Sequence, residues 1–179
     1  MGRRRAGGTP VNILVTGGRG LLGSAVVTEL AARGHTVTVF QRSPAGHPSD
    51  VREVLGDVTD RDAVAQVVQG QDAVVHLAAR VSMTGPWSEF ERINVGGTQN
   101  VLTAARDAGV HSFVHISSPS VAHAGQPLVG AGAGVADPAG ARGNYARSKA
   151  MAELAALAAD DAAMAVVAIR PHLVWGPGD

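Results

Sequence analysis

The stretch that most constrains this chain is an apolar run that ends in a glycine cluster and continues as a helical pattern, VNILVTGGRGLLG over residues 11–23. It predicts a buried strand, a tight turn and the start of a helix. Glycines lack a Cβ, so the turn can adopt positive φ and approach a ligand closely. The first N–H groups of the helix then face the turn, which favours a pyrophosphate. An ordinary glycine turn is the alternative, but a preceding strand and a following helix favour a dinucleotide site.

Strand and helix patterns alternate along the rest of the chain. Apolar and β-branched runs predict strands, and apolar side chains at helical spacing predict helices between them. The predicted strands cover 11–16, 35–40, 51–55, 73–77, 113–117 and 165–169, and the predicted helices cover about 21–33, 60–68, 89–108 and 145–159. This alternation predicts an α/β fold: a Rossmann-type, doubly wound parallel sheet of about six strands with helices on both faces. Ligands of such sheets bind beyond the carboxyl ends of the strands.

Length and charge narrow the class of protein further. With 179 residues the chain can form one domain with a substantial core. We expect residues 1–10 to be a flexible leader and residues 11–179 to form one dinucleotide-binding domain. Fifteen basic and fifteen acidic residues cancel, so the overall charge gives no indication of nucleic-acid or membrane-surface binding. A net charge near zero also gives no electrostatic repulsion between copies of the chain, so the protein is free to associate and a homodimer is possible.

The residue inventory excludes several kinds of chemistry. The chain has no cysteine, which excludes disulfides, thiol catalysis and cysteine-bound metal and is compatible with a cytoplasmic location. No apolar run approaches the length of a membrane span. The histidines do not cluster with carboxylates, so no metal site is predicted. His76 and His115 lie within strand patterns and are expected to be packed or hydrogen-bonded core residues.

Two glycine-rich features interrupt the regular pattern. Gly96 and Gly97 fall inside the predicted helix 89–108, where glycine costs helix propensity, so we expect close packing against another element there. Residues 119–143 are rich in glycine, alanine and proline without useful periodicity. They predict a long loop, of a length that is usually functional or mobile.

Tyr145 and Lys149 are the only tyrosine and the only lysine, and they stand four residues apart in a predicted helix. That spacing places both side chains on one helix face. An adjacent ammonium favours the phenolate, so we expect Lys149 to lower the pKa of Tyr145 from its ordinary value near ~10. Such a phenol can exchange a proton with an alcohol or carbonyl oxygen while a hydride moves. A half-buried tyrosine with a chance neighbour is the alternative.

Ser118 follows the predicted strand 113–117 and is the third candidate. A hydroxyl there can donate to the same substrate oxygen and stabilise charge that develops on it. A serine after a strand is more often a turn or helix cap, and Ser117 and Ser120 lie beside it. The residues alone therefore do not select Ser118 from its neighbours.

Seven segments together resemble the extended short-chain dehydrogenase/reductase family, in particular its 3β-hydroxysteroid dehydrogenase/isomerase-like enzymes and nucleoside-sugar epimerases. They are TGGRGLLG (16–23), GDVTD (56–60), HLAA (76–79), NVGGTQNV (94–101), ISSPSV (116–121), YARSK (145–149) and RPHLVWGPGD (170–179). They occur in family order over nearly the whole chain. Residues 85–101 and 170–179 look most like bacterial 3-oxoacyl or β-keto acid reductases related to the steroid enzymes.

The resemblance implies a catalytic set and a nicotinamide cofactor. The catalytic residues would be Ser118, Tyr145 and Lys149, with Lys149 also holding the nicotinamide ribose. The implied cofactor contacts also include Gly17, Gly18, Arg19, Gly20, Leu21, Leu22 and Gly23 in the turn, Asp57 and Val58 at the adenine, Leu77, Ala78 and Ala79 at the adenosine, and Pro171, Leu173 and Val174 at the nicotinamide. Trp87 and Phe90 lie where the family places part of its substrate pocket, and surface packing is an equal alternative for them.

The end of the second predicted strand bears on the choice of cofactor. An acidic residue there would bind the 2′-hydroxyl of NAD, but this chain has Gln41 followed by Arg42. Together with Arg19 in the glycine turn, Arg42 could accept a 2′-phosphate. We therefore expect a preference for NADP(H), with NAD(H) also possible. A solvated surface charge is the alternative role of Arg42.

These observations lead to three hypotheses about function, and the first two of them involve a small-molecule substrate. The first is hydride transfer between the nicotinamide and a secondary alcohol or ketone, such as a 3β-hydroxysteroid-like or 3-oxoacyl compound, with Tyr145 as acid and base. The second is a sugar-nucleotide epimerase or dehydratase, and the third is a non-catalytic dinucleotide-binding sensor or partner subunit. The chain ends where the family's smaller substrate-binding part begins. We therefore expect a fragment that is inactive alone and has an exposed, aggregation-prone apolar surface.

Overall fold

A computed structural model describes residues 9–122, 129–130 and 132–176 of the chain. Most of the predicted leader and part of the predicted 119–143 loop lie outside the described residues. The described strands are β1 (Asn12–Thr16), β2 (Thr36–Gln41), β3 (Arg52–Leu55), β4 (Ala73–His76), β5 (Ser112–Ile116) and β6 (Ala165–Ile169). They form one sheet in the order β3-β2-β1-β4-β5-β6, and every neighbouring pair is parallel. The predicted doubly wound parallel sheet is confirmed.

The helices lie where the apolar spacing predicts them. They are α1 (Leu21–Ala32), α2 (Arg61–Val68), α3 (Trp87–Phe90), α4 (Gly97–Asp107) and α5 (Gly143–Leu157). The predicted helix 89–108 is not uniform, because a π-helical stretch (Glu91–Gly96) joins α3 to α4. Inside the predicted 119–143 loop, Pro119–Ala122 form a 3₁₀ turn directly after β5.

Apolar side chains fill both faces of the sheet. On one face, Val64 of α2, Val101 of α4 and Ala156 of α5 pack in one buried cluster with strand residues such as Phe113. On the other face, Val27 of α1 packs against β1 and β2 residues. Strand side chains alternate between the faces because the side-chain period of a strand is two. Both faces of the sheet are therefore used for packing, as a parallel sheet requires.

β6 is an edge strand whose two faces differ. Val166 is 7% exposed and belongs to the cluster that contains α4 and α5, whereas its neighbour Val167 is 55% exposed and Ile169 is 47% exposed. Two apolar side chains of this edge strand are thus accessible in the structure, and the predicted docking surface stays a prediction. None of the helices in the described part of the chain combines the length and the apolar character needed to cross a bilayer.

The two adjacent glycines at the start of α4 differ in their surroundings. A Cβ on Gly97 would lie 2.7 Å from the Cγ2 atom of Val58, whereas a Cβ on Gly96 would have its nearest neighbour, the Glu91 carbonyl oxygen, at 3.7 Å. The predicted close packing is therefore confirmed for Gly97. It is wrong for Gly96, which lies at the end of the π-helical stretch and where a Cβ would make only an ordinary van der Waals contact.

Candidate functional site

The glycine turn between β1 and α1 is closely packed in the way the sequence predicts. Gly17 has a φ of 77°, and a Cβ there would lie 2.8 Å from the backbone nitrogen of Ala78. A Cβ on Gly23 would lie 2.9 Å from the Cα of Gly18, so the helix can approach the turn only with glycine at that position. Gly20 caps α1 without any side-chain hydrogen bond. The first N–H groups of α1 are thus available to an anion at the turn.

A cleft of about 300 Å³ opens beside this turn, at the carboxyl ends of β1, β2, β3 and β4. This edge of the sheet is the point where the strand order reverses, between β1 and β4, and it is where doubly wound sheets bind nucleotides. Nine residues predicted to contact the cofactor line the cleft: Gly17, Arg19, Gly20, Arg42, Asp57, Val58, Leu77, Ala78 and Ala79. The predicted turn and the predicted adenine-side residues therefore share one cavity.

Other lining residues were not predicted as cofactor contacts from the sequence. They are Phe40, Gln41, Ser43, Gly56, Val81 and Ile93. Gly56 carried a usable signal, because it directly follows a strand, and a Cβ there would overlap the ring of Phe40. Val81 and Ile93 carried none, since their positions depend on how the segment after β4 and the π-helical stretch fold against the sheet.

Gln41 is the most unusual of these residues. Its side chain is buried at the end of β2, and neither its amide nitrogen nor its carbonyl oxygen has a hydrogen-bond partner within the described residues. A buried amide without partners is costly unless a ligand or a water satisfies it. The cleft therefore contains an unsatisfied donor and acceptor at the point where the sequence analysis placed the 2′-position of the cofactor.

Charged side chains occupy the same end of the cleft. Burial acts to raise the pKa of Asp57, but hydrogen bonds from the backbone and hydroxyl of Thr59, together with the charges of Arg42 and Arg92, hold that pKa below its usual range. The Thr59 hydroxyl and amide each lie 2.9 Å from one carboxylate oxygen of Asp57. Asp57 is thus held in its anionic form, and it lines the same cleft as Arg42.

Ser118 and Tyr145 come together beyond the carboxyl end of β5. Burial raises the pKa of the Tyr145 phenol above its ordinary value, and the Ser118 hydroxyl partly offsets this. Ser118 also accepts a hydrogen bond from the Ser120 amide at 3.2 Å, so it caps the 3₁₀ turn as well. The expected lowering of the Tyr145 pKa by Lys149 is wrong in this structure, because burial outweighs every other effect on the phenol.

Lys149 is directed elsewhere than the sequence suggested. Its ammonium donates to the Ile116 carbonyl at 2.6 Å, and the residue is only 3% exposed. Burial lowers the pKa of Lys149 to about 8, and the carboxylate of Glu153 opposes that change. In the described part of the chain, Lys149 has no direct hydrogen bond to Tyr145. The Lys149 ammonium is therefore bound to the Ile116 carbonyl and not to the Tyr145 phenol.

A network of buried polar groups supports this region. The Asn94 side chain, in the π-helical stretch, binds the backbone of Arg80 through both its oxygen and its nitrogen and donates to the Ser148 hydroxyl at 2.9 Å. Ser148 in turn donates to the Tyr145 carbonyl at 2.8 Å. Asn94 thus connects the segment after β4 to the helix that carries Tyr145 and Lys149. Its sequence signal was the pair of glycines that follows it.

The strand histidines are core residues, as predicted. His76 lies 2.8 Å from the Thr16 hydroxyl and 3.0 Å from the Thr98 hydroxyl, and burial lowers its pKa to about 3. His115 is fully buried, its two ring nitrogens have no partner among the described residues, and burial lowers its pKa to about 2. Both rings are therefore neutral at physiological pH.

The remaining predicted cofactor residues lie outside the cleft. These are Gly18, Leu21, Leu22, Gly23, Tyr145, Lys149, Pro171, Leu173 and Val174. Gly18 faces the core next to Val39 and Val27. Leu173 is 78% exposed and Val174 is 46% exposed on the segment after β6. The cleft is lined by the residues that the sequence predicts for the adenosine side, and Ser118, Tyr145 and Lys149 lie apart from it, at the end of β5.

The fold and the cleft together define a dinucleotide-binding domain of the Rossmann type. The family model described as "NAD dependent epimerase/dehydratase family" matches residues 13–179, and the chain belongs to that family. The chain is 44% identical over 174 residues to a 2-alkyl-3-oxoalkanoate reductase of Stenotrophomonas maltophilia, covering 94% of this chain and 52% of the relative. It is 40% identical to a 3 beta-hydroxysteroid dehydrogenase/Delta 5-->4-isomerase of Mycobacterium tuberculosis, covering 93% of this chain and 48% of the relative.

A solved structure gives the same result for the fold. MoeE5, determined in complex with UDP-glucuronic acid and NAD, superimposes with a TM-score of 0.83 at 33% identity and covers 93% of this chain and 56% of the MoeE5 chain. The chain thus spans about half the length of the relatives it matches.

Proposed function

We propose that this chain is the cofactor-binding part of an NAD(P)-dependent oxidoreductase that interconverts a secondary alcohol and a ketone. The observation that carries the proposal is the pairing of two features at one edge of the sheet: a glycine-lined cleft at the switch point, and a tyrosine, a serine and a buried lysine beyond β5. The names of the relatives favour a 3-oxoalkanoate or 3β-hydroxysteroid class of substrate.

The cleft fits the adenosine half of a nicotinamide dinucleotide. Gly17 and Gly23 let the turn pack closely against Ala78 and against the start of α1, so the first N–H groups of α1 lie at the turn. The amide of Gln41 lacks partners that a ribose hydroxyl or phosphate can supply. When bound, the nicotinamide supplies or accepts the hydride. In the proposal, Tyr145 transfers the proton to or from the substrate oxygen, and Ser118 donates a hydrogen bond to that oxygen. Lys149 lies one helical turn from Tyr145 and supplies a positive charge at the end of β5, where it is bound to the Ile116 carbonyl.

The raised pKa of Tyr145 favours the neutral phenol, which is the form that donates a proton during ketone reduction. In the oxidation direction the phenol must first lose its proton, which its raised pKa disfavours. The proposal therefore expects reduction to be the faster direction at neutral pH.

The test compares the wild-type protein with Tyr145→Phe. Binding of NADH or NADPH is followed by the fluorescence of the reduced nicotinamide, and turnover is followed by its absorbance with a 2-alkyl-3-oxoalkanoate and with a 3-ketosteroid. We expect Tyr145→Phe to keep cofactor affinity within about twofold and to lose at least about 100-fold in turnover, the usual share of a general acid. Unchanged turnover in Tyr145→Phe would contradict the assignment.

We further propose that the cofactor is NADP(H) in preference to NAD(H). Support comes from Arg19 and Arg42, which both line the cleft, and from the neutral Gln41 at the end of β2, where an acidic residue would repel a 2′-phosphate. Arg42→Gln is expected to weaken NADPH binding by about tenfold, the effect of losing roughly one charge-assisted hydrogen bond, and to leave NADH binding unchanged. Arg52→Gln, a substitution of an arginine outside the cleft, is the matched control. Tighter binding of NADH than of NADPH by the wild type would refute the preference.

Sugar-nucleotide chemistry is the second candidate, because MoeE5 is 33% identical and binds UDP-glucuronic acid with NAD. An epimerase regenerates its cofactor in each cycle, so it converts substrate without net change in nicotinamide absorbance. Stoichiometric consumption of NAD(P)H with a ketone supports the first candidate, and conversion of a UDP-sugar without consumption supports the second. The cytoplasmic location and the homodimer stay predictions.

A further inference from the structure

A buried ion pair lies one helical turn beyond Lys149. Glu153 of α5 is 1% exposed, and its carboxylate accepts a hydrogen bond from the Arg170 side-chain nitrogen Nε at 2.9 Å. A second guanidinium nitrogen of Arg170 contacts the other carboxylate oxygen, so the pair is bidentate. Arg170 directly follows β6, seventeen positions from Glu153 in the sequence, and its side chain is 16% exposed.

Arg170 also holds a loop in place. Its guanidinium donates to the carbonyl of Ala133 and, at 3.0 Å, to the carbonyl of Gly134. One guanidinium therefore joins α5, the end of β6 and the segment around Gly134. A carboxylate whose only role was to neutralise Arg170 could lie at the surface. Glu153 is instead buried, on the helix that carries Lys149.

The position of Glu153 gives it a second neighbour. Residues four apart on a helix lie on the same face, and both Glu153 and Lys149 are buried, at 1% and 3% exposure. Among the described residues the two side chains form no direct ion pair, since Glu153 contacts Arg170 and Lys149 contacts the Ile116 carbonyl. The charges of Glu153 and Lys149 each favour the ionised form of the other. The other groups that face Lys149 are His115 of β5 and His76 of β4, both neutral, and those that face Glu153 are Arg170 and the Ser117 hydroxyl.

We propose that Glu153 is a positioning residue that acts through Lys149: with Arg170 holding its carboxylate, it keeps the buried Lys149 side chain as an ammonium directed at the Ile116 carbonyl. The physical reason is that a lysine buried to 3% exposure loses most of its hydration and tends to become neutral. A neutral amine would still fit the space, but it would supply no positive charge at the end of β5, one helical turn from Tyr145. A role of Lys149 in catalysis rests on the proposed function. The protonation state of its side chain does not, and it can be measured without substrate or cofactor.

The chain offers an unusually direct test, because Lys149 is its only lysine. Protein labelled with ¹³C at the lysine Cε carbon gives one side-chain resonance, whose shift follows the protonation of Lys149 without any cofactor or substrate. The wild-type midpoint is expected at about 8. In Glu153→Gln we expect the midpoint to fall by about one pH unit, the lower end of the effect of a nearby opposite charge, because the two side chains form no direct ion pair. Glu29→Gln, which removes an exposed carboxylate from a helical arginine pair on α1, is the matched control and is expected to shift nothing.

The sign of the shift separates the proposal from a merely structural role. If Glu153 only packs α5, its loss loosens the helix, exposes Lys149 to water and moves the midpoint upward toward the ordinary value of 10.5. An upward or absent shift in Glu153→Gln overturns the proposal. Arg170→Gln is expected to leave the midpoint in place or raise it, because it removes a positive charge while Glu153 remains.

A variant that leaves Arg170 without a counterion can fail to fold, and a double variant covers this case. Glu153→Gln combined with Arg170→Gln removes both partners of the ion pair, so Arg170 is not left without a counterion, and the proposal requires the midpoint of this double variant to lie below that of Arg170→Gln alone. Equal midpoints in these two variants overturn the proposal. The measurement needs no turnover, so its failure is distinguishable from a failure of the Tyr145→Phe assay.

Discussion

The contact between Gly97 and Val58 allows one packing prediction to be worked out from the structure. The two substitutions are Gly97→Ala and Gly96→Ala, at adjacent positions with nearly identical helical backbone: φ is −60° at Gly97 and −62° at Gly96. Neither position needs glycine for its backbone, so both alanines gain the same helix propensity, about 1 kcal/mol. The variants differ only in what the new methyl group meets.

The magnitude follows from that difference. The methyl at residue 97 would lie 2.7 Å from Val58 Cγ2, well inside van der Waals contact, whereas the methyl at residue 96 meets nothing closer than 3.7 Å. Overpacking a well-filled core costs about 1–3 kcal/mol. Since the propensity gain cancels, we expect Gly96→Ala to be more stable than Gly97→Ala by that same amount. For a chain of this size the difference corresponds to about 2–12 °C in Tm.

Two measurements check this prediction. Urea unfolding of the two variants and the wild type gives the free energies of unfolding, and we expect Gly96→Ala at or above the wild type and Gly97→Ala below Gly96→Ala. Because Val58 also lines the cleft, Gly97→Ala is expected to weaken NAD(P)H binding as well, while Gly96→Ala is not. Equal stability of the two alanine variants would refute the packing argument, since the only structural difference between the sites would then carry no energy.

Two further predictions concern titration. Tyr145 is the only tyrosine, so an ultraviolet titration reports the ionisation of its phenol alone. We expect a midpoint above 10, and a further rise in Ser118→Ala because the Ser118 hydroxyl lowers that pKa. A midpoint below 10 would contradict the burial of the phenol. The pKa of His115 is about 2 in the folded protein and 6.5 ordinarily, so below pH 6.5 the unfolded chain binds the extra proton and stability falls as the pH is lowered. His115→Leu removes that proton and is expected to reduce the slope of unfolding free energy against pH, measured between pH 4 and 6 with urea, by about 1.4 kcal/mol per pH unit. An unchanged slope would mean that His115 is not buried as a neutral ring.

Local sequence pattern was enough for the fold and for one end of the site. The run of strand, glycine turn and helix at residues 11–23 and the regular alternation after it predicted the six parallel strands, because apolar periodicity and glycine turns act over a few neighbouring residues. The same logic placed Arg42, Asp57 and Ala78 at strand ends, and these residues line the cleft. The resemblance to a family added Ser118, which the residues alone left equivalent to two other serines.

What the sequence by itself determined, then, is which segments become strands and helices, and hence which side chains reach the ligand-binding edge of the sheet. The tertiary structure alone decided the electrostatics there. It turned Lys149 to the Ile116 carbonyl instead of Tyr145, raised the phenol pKa by burial, and brought Arg170 from β6 onto Glu153. The reason is physical: a pKa depends on desolvation and on charges from distant segments, and neither quantity is contained in the spacing of residues along one helix.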